Sequence, residues 1–193
     1  MNIFALSKDP EQSARWMIDR HVIKMVLETA QVLSTVYQKI RGPNQFLYKP
    51  THHNHPSTLW AGASYQNFKW LMKHFQALAR EYTYRYGKRH LSFDKVYPHI
   101  KDLSKSDFPS VALTPVTPAM KPEYKVREAD TWEDVQYLYR RYYCLSKQDF
   151  ATWKHREPPA WYVRYYENRG YKLVKNLRDK ANPYDFFYCM IPK

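Results

Sequence analysis

The sequence predicts a mainly α fold: a compact single-domain helical bundle with a short extended N-terminus and long loops. Two observations point to this class. Long segments repeat apolar side chains with the 3.6-residue period of an α-helix, and the alternation typical of strands is scarce. The chain has 193 residues, of which 44% are hydrophobic and 17% aromatic, enough to bury one sizeable core. We therefore expect residues 1–193 to form one domain.

The N-terminal half is predicted to contain an extended segment and two long helices. Residues 1–6 are mostly apolar and favour an extended conformation. Helical periodicity covers residues 10–39, and an early proline after a capping acid is typical of a helix start. A polar loop follows, and Pro56 marks the first turn of a second long helix that ends at Gly87.

The C-terminal half is predicted to begin with irregular structure. Four prolines in the segment 104–130 argue against helix or strand, so we expect a loop or an extended arm within the same domain. Thr131 precedes two acidic residues, a pattern that predicts an N-cap and a helix over 132–148. From Ala151 onward the chain is basic and aromatic.

The charge balance predicts a polyanionic partner. Lys and Arg total 31 against 18 Asp and Glu, which gives a net charge of +13 and a pI near 9.6. Nucleic acid is the first candidate because aromatic residues interleaved with cations stack on bases. A generally basic, solvated surface is the alternative.

Cysteine use and hydropathy indicate a soluble intracellular protein. Cys144 and Cys189 lack the spacing of metal ligands, and a chain of this length needs no disulfide framework. We find neither a signal-peptide pattern nor an apolar run long enough to span a membrane. We expect a monomer that makes no contact with membranes.

The first predicted helix carries three chemically active side chains on one face. At 100° per residue, His21, Lys24, Glu28 and Gln31 fall within an arc of roughly 80°. An imidazole, an amine and a carboxylate are the groups needed to cleave a bond at a sugar carbon. The solvent face of an ordinary amphipathic helix has the same pattern, so the arrangement alone leaves both interpretations open.

A second group of chemically active side chains lies in the turn that contains His52, His53 and His55. These histidines could bind a metal, cap the following helix, or contact a phosphate or substrate. No matching ligand pair occurs elsewhere, so we expect no metal. Glycine-rich nucleotide fingerprints are absent, and we expect no cofactor.

These segments together resemble the pyrimidine-dimer DNA glycosylase family, of the small endonuclease V type of T-even bacteriophages and some large DNA viruses. His21 and Glu28 resemble that family's histidine and catalytic glutamate, which have the same separation of seven. Residues 49–87 resemble its next loop and long helix, and residues 159–166 resemble its C-terminal aromatic run, with one extra residue. Phage and viral proteins that open with Met-x-Ile-Phe look closer still. The resemblance implies a virus-encoded protein that acts inside the host cell.

The resemblance implies attack of an amine on C1′ of a damaged or modified nucleotide in double-stranded DNA, with loss of the base and formation of an imine. The family uses the α-amine that is exposed when Met is removed. Asn2 is too large to favour this removal, so the resemblance implies that Met1 itself supplies the amine. An α-amine has a reference pKa of about 7.7–8.0, well below that of lysine, and is therefore more often neutral at physiological pH.

The same resemblance assigns roles on the helix. Glu28 stabilises the developing oxocarbenium ion and then assists removal of the C2′ proton, which leads to strand cleavage by β-elimination. His21 orients the sugar or phosphate. Leu27 and Gln31 stand where the family has arginines, and Lys24 is expected to replace their positive charge.

Further residues are expected to bind the DNA. The aromatic residues of the C-terminal run stack against displaced bases, and basic residues near them hold the backbone. A packed C-terminal core with solvated charges is the alternative interpretation. The predicted DNA contacts are His52, His53, His55, Lys154, Arg156, Trp161, Tyr162, Arg164, Tyr165 and Tyr166.

The leading hypothesis is thus a DNA glycosylase with AP-lyase activity. Two other functions stay open at this point. The chain could be a nucleic-acid-binding protein that keeps the scaffold without catalysis, or an enzyme that cleaves the N-glycosidic bond of free nucleotides.

Overall fold

The computed structural model describes all 193 residues and contains seven α-helices and one three-stranded sheet. This confirms the predicted mainly α class. The helices are α1 (Pro10–Trp16), α2 (Asp19–Arg41), α3 (Pro56–Ala63), α4 (Tyr65–Tyr86), α5 (Leu91–Val96), α6 (Trp132–Ser146) and α7 (Ala160–Glu167). The strands are β1 (Trp153–Lys154), β2 (Tyr171–Asp179) and β3 (Asn182–Pro192).

The first predicted helix is divided into α1 and α2, so the expectation of one uninterrupted helix is wrong. Met17 and Ile18 have extended backbones, with ψ of 141° and 157°. Arg85 stabilises the break, because its guanidinium donates to the carbonyl oxygens of Arg15 and Met17 at 3.0 and 2.9 Å. Carbonyls at the end of α1 therefore have side-chain donors in place of the helical N–H groups.

The second predicted helix is likewise divided, into α3 and α4. Ser64 between them is extended, with φ of −153° and ψ of 156°. Its hydroxyl accepts a hydrogen bond from the Asn67 N–H at 3.1 Å and donates to the carbonyl of Ala112. Ser64 is thus the N-cap of α4 and ties that helix to the proline-rich segment.

The sheet is formed by the C-terminal tail and was not predicted. Strands β2 and β3 form an antiparallel hairpin, and β1 pairs with the other edge of β3, with Trp153 opposite Tyr188. β3 contains an uninterrupted apolar run from Phe186 to Ile191. Because both faces of the hairpin are partly buried, the strand lacks the apolar and polar alternation that sequence reasoning requires.

One continuous hydrophobic core links the ends of the chain. A cluster of 39 buried residues extends from the N-terminal segment through α2 and α4 to α6 and α7. Ile3 and Leu6 are buried in it, which fixes the N-terminus beside α2. The segment 104–130 contains only short 3₁₀ turns and is anchored by the buried Val116. None of the helices has the length and apolar character required to cross a membrane.

Candidate active site

The candidate site is built around the carboxylate of Glu28 in the middle of α2. The residue is 8% exposed, yet its helix face is open enough for Lys24, one turn earlier, to reach it. The Lys24 Nζ lies 3.1 Å from the Glu28 Oε1, and the lysine side chain is 69% exposed. The structure therefore brings a carboxylate and an amine together at the edge of the core.

The chain terminus approaches the other oxygen of the same carboxylate. The Met1 nitrogen lies 4.0 Å from the Glu28 Oε2, and the Asn2 N–H donates to that oxygen at 2.9 Å. The Met1 side chain is 3% exposed, because it packs against the core. Burial of this side chain holds the terminal amine next to Glu28.

Asn2 fixes the terminus through its side chain. Its Nδ2 donates to the Ala119 carbonyl at 2.6 Å, and its Oδ1 accepts from the Tyr139 hydroxyl at 2.8 Å. The Ala119 N–H in turn donates to the Tyr139 hydroxyl at 3.1 Å, which closes a ring of hydrogen bonds. This ring connects the proline-rich segment and α6 to Asn2.

Sequence reasoning did not find the ring formed by Asn2, Ala119 and Tyr139. One signal was present in the sequence, since Asn2 is the only polar residue among the first six. A polar side chain within a buried extended segment needs hydrogen-bond partners, but the pattern does not say which distant residues supply them.

His21, on the same helix as Glu28, packs among aromatic side chains from other segments. Its ring stacks on Phe4 with centroids 4.1 Å apart, and its Nδ1 shares a hydrogen bond with the Tyr143 hydroxyl. Burial, and then the positive charges of Lys147 and Lys24, lower the pKa of His21 to about 3. The ring is therefore neutral near pH 7. Its predicted contact with a sugar or phosphate stays a prediction.

The histidine turn is attached to the face of α2 that carries Glu28. Thr35, two turns after Glu28, donates to the Thr51 carbonyl at 3.1 Å and accepts from the Thr51 N–H at 3.1 Å. Burial, and then the charge of the N-terminus, lower the pKa of His55, whereas Glu28 raises it. His55 is therefore electrostatically coupled to both the terminal amine and the carboxylate.

The three histidines have different environments. The His55 Nδ1 accepts from the Ser57 N–H at 3.1 Å and caps α3, which leaves its Nε2 as the donor of the neutral ring. His52 has a left-handed backbone with φ of 51° and hydrogen-bonds to the Thr51 hydroxyl. His53 borders a separate cavity of about 570 Å³ next to Lys39. No three His, Cys, Asp or Glu side chains are grouped as metal ligands.

The C-terminal aromatic run is divided between core and surface. Tyr162 and Tyr166 are 1% and 2% exposed, and burial raises the pKa of both. Trp161 and Tyr165 are partly exposed and border a cavity of about 520 Å³. Arg164 is exposed, and the only hydrogen bond of its side chain goes to the Ala160 carbonyl.

Two further predicted DNA contacts form ion pairs within the protein. The Lys154 Nζ lies 2.8 Å from Asp185, and Arg156 donates to both Glu81 oxygens at 2.9 and 3.0 Å. The structure thus brings Met1, Lys24 and Glu28 together and attaches the histidine turn to the same face of α2. It places Lys154 and Arg156 in other ion pairs.

Comparison with known proteins finds a similarity in the N-terminal part of the chain. Residues 1–95 match the family model described as pyrimidine dimer DNA glycosylase. None of the curated proteins and none of the solved structures matches the chain significantly. The matched region contains Met1, Lys24, Glu28 and the histidine turn. Over its first 95 residues, the chain is thus similar to the pyrimidine dimer DNA glycosylase family.

Proposed function

We propose that the protein removes a damaged or modified base from double-stranded DNA through an imine, and then cleaves the strand as an AP lyase. The nucleophile is the α-amine of Met1, and Glu28 is the catalytic carboxylate. The observation that carries this proposal is the distance of 4.0 Å between the Met1 nitrogen and the Glu28 Oε2.

The reaction requires a neutral amine and a nearby carboxylate. The Met1 nitrogen attacks C1′, the N-glycosidic bond breaks, and the base leaves with its bonding electron pair and gains a proton. The secondary amine formed at C1′ opens the sugar ring and becomes an imine. Glu28 then removes a proton from C2′, and the 3′ phosphate leaves by β-elimination. Water hydrolyses the imine and releases the enzyme.

Three contacts prepare Glu28 for these steps. The Asn2 N–H and the Met1 amine share Oε2, whereas Lys24 binds Oε1. These contacts orient the carboxylate toward the amine. Because the Lys24 side chain is exposed, its charge is also available to a DNA phosphate near the reacting sugar.

The histidine turn and the C-terminal aromatic run supply the DNA contacts. The His55 Nε2–H donates to a phosphate or to the departing base, and His52 and His53 extend the same turn along the backbone. Trp161 and Tyr165 stack on displaced bases, with the buried Tyr162 and Tyr166 behind them. Arg164 adds an exposed cation beside the aromatic run.

Borohydride trapping on a duplex with an abasic site tests the nucleophile. Borohydride reduces the imine to a stable amine, and peptide mapping by mass spectrometry locates the adduct. We expect the adduct on Met1. A matched protein with Gly-Ser added before Met1 retains every side chain but moves the amine away from Glu28, and we expect it to form no adduct.

The Lys24→Gln variant is the control, since it removes the other nearby amine and should still be trapped. An adduct on Lys24, or undiminished trapping of the extended protein, would overturn the assignment to Met1. Retained DNA binding without any adduct would instead indicate a non-catalytic nucleic-acid-binding protein. Base release from a nucleoside monophosphate in the absence of DNA would indicate the enzyme of free nucleotides.

A further inference from the structure

A second cavity lies between α6 and α7, outside the residues matched by the family model. It has a volume of about 520 Å³ and is bordered by Arg140, Arg141 and Arg169. Trp161 and Tyr165 form aromatic walls. We call this feature the arginine cavity. Glu133 is the only acidic residue on its border, so three guanidinium groups face one carboxylate.

The arginines of this cavity have no ion-pair partners, unlike six others in the protein. Arg140 donates to the Leu6 carbonyl at 3.0 Å and to Gln136 at 3.0 Å, and Arg169 donates to the Tyr165 carbonyl at 2.9 Å. Burial lowers the pKa of Arg140, because no carboxylate offsets the loss of water around its charge. The arginines that do form ion pairs are Arg41, Arg80, Arg85, Arg89, Arg127 and Arg156.

Aromatic rings orient two of these guanidinium groups. The Arg169 Cζ lies 3.7 Å from the centroid of the Tyr165 ring, and the Arg140 Cζ lies 5.0 Å from the Trp16 ring and 5.7 Å from the Trp161 ring. Stacking occupies the face of a guanidinium and leaves its N–H edges for hydrogen bonds, which bind phosphate oxygens in pairs. Arg140 uses Nε and Nη2 within the protein, whereas Arg169 uses only Nη1. The Trp161 Nε1–H is a further buried donor without an acceptor.

The path of the N-terminal segment limits the distance between the cavity and the chain terminus beside Glu28. Arg140 contacts the carbonyl of Leu6, which is five positions after Met1 in the chain. A fully extended chain of that length spans at most about 18 Å. This corresponds to about five base pairs at 3.4 Å each.

We propose that the arginine cavity binds a backbone phosphate of the DNA a few nucleotides from the reacting sugar. This inference rests on the proposed function for the identity of the ligand as DNA. The chemistry recognised is a phosphate held by Arg141 and Arg169, with Arg140 behind them. Free mononucleotides carry the same group, and the experiment separates the two sources.

The test removes two charges from the cavity without disturbing the fold. In the double variant Arg141→Gln and Arg169→Gln, Arg140 is kept because it binds the Leu6 carbonyl. The matched control is Lys73→Gln with Lys88→Gln, which removes two exposed lysines that form no ion pair. Binding to a short duplex with a reduced abasic-site analogue is measured by fluorescence anisotropy over a range of salt concentrations.

We expect the cavity variant to raise Kd by about tenfold. The slope of log K against log salt should become less steep by about 0.9 for each DNA phosphate that the variant no longer neutralises. The lysine control should change both quantities much less. Equal reductions in affinity for variant and control would overturn the proposal, since general charge would then explain them. Unchanged binding of the cavity variant would overturn it as well.

Two further measurements distinguish this proposal from the proposed function and from the binding of free mononucleotides. Trapping at saturating DNA should be unchanged in the cavity variant. If wild type is never trapped but the cavity variant still loses affinity selectively, the proposed function fails and the phosphate site stands. Thymidine 5′-monophosphate should not raise the Tm of wild type. A rise that the cavity variant loses, together with unchanged duplex affinity, would overturn DNA as the source of the phosphate.

Discussion

Helix α2 carries two buried carboxylates, Asp19 and Glu28, whose surroundings differ. Asp19 Oδ1 accepts from Arg85 at 3.0 Å and from the Lys154 N–H at 2.9 Å, and its Oδ2 accepts from the Thr152 hydroxyl at 2.7 Å. Each of these donors is fixed by the fold. Glu28 accepts one backbone N–H from Asn2, whereas its other neighbours are an exposed lysine and the terminal amine.

The difference suits the same chemical group to stability at one end of the helix and to the proposed reaction further along it. The donors of Asp19 come from α4 and from the segment 152–154, and its carboxylate has no oxygen left for a substrate. The donors of Glu28 include two amines that can exchange the carboxylate for other partners. A buried carboxylate is available for catalysis when its neighbours are free to move or react, and burial alone does not distinguish the two cases.

Glu28→Gln tests the reactive side of this comparison and should have the largest effect. Glutamine has nearly the same shape but cannot stabilise the cation or take the C2′ proton. We expect single-turnover trapping on abasic-site DNA to slow by about 10³-fold, equivalent to about 4 kcal/mol. Undiminished trapping of a normally folded variant would remove Glu28 from the mechanism.

Asp19→Asn is the matched test of the structural side. The substitution leaves the guanidinium of Arg85, which is fully buried, without one of its two carboxylates. We expect the free energy of unfolding in urea to fall by about 3 kcal/mol, at the lower end of the cost of breaking a buried ion pair. Glu28→Gln should cost about 1 kcal/mol or less. Similar losses in the two variants would contradict the distinction drawn between the carboxylates.

In the sequence of α2, His21 lies between Asp19 and Glu28. The effect of pH on stability, together with the trapping rate, tests whether His21 serves the fold, as Asp19 does, or the proposed reaction. Its pKa is about 3 in the folded protein against 6.5 in the unfolded chain, so between these values only the unfolded state binds the proton. Stability therefore falls as the pH drops below 6.5, by roughly 2 kcal/mol at pH 5 from this residue.

Between pH 7.5 and pH 5, the free energy of unfolding should fall by roughly 2 kcal/mol less in the His21→Phe variant than in wild type. Urea unfolding at the two pH values measures the difference. Trapping at saturating DNA should be retained if the ring acts by packing on Phe4. A large loss of trapping at normal stability would support the predicted contact of His21 with the sugar or phosphate.

The sequence predicted the helical class and the contents of α2 because both depend on local periodicity. The breaks at Ile18 and Ser64 depend on residues distant in sequence and could not be predicted from local periodicity. Arg85 stabilises the first break, and the Ala112 carbonyl in the proline-rich segment holds Ser64 at the second. The hairpin at the C-terminus was missed because its strands are partly buried on both faces.

Prediction of the site from the sequence has the same limit, because it finds local relations and misses contacts between distant segments. Placing Glu28 and Lys24 on one helix face needs only the 100° rotation per residue, and the two side chains do meet. The approach of the Met1 amine was expected from a family resemblance, since no local pattern specifies it. The proximity of His55 depends on the bonds between Thr35 and Thr51, which join segments far apart in sequence.

Tyr139→Phe tests the hydrogen-bonded link between α6 and the N-terminus beside Glu28. The change removes the hydroxyl that donates to the Asn2 Oδ1 and accepts from the Ala119 N–H. We expect the free energy of unfolding to fall by about 1 kcal/mol. Trapping should slow by about threefold, because an amine that leaves Glu28 more often spends less time in position to attack.

Tyr142→Phe is the control, since its hydroxyl on the same helix binds only the Lys147 amine. If Tyr139→Phe loses stability but is trapped at the wild-type rate, Asn2 holds the N-terminus without setting the position of the amine. If both the rate and the stability fall, the proline-rich segment contributes to catalysis through Ala119. The ring of hydrogen bonds would then connect the structural part of the molecule to its reactive carboxylate.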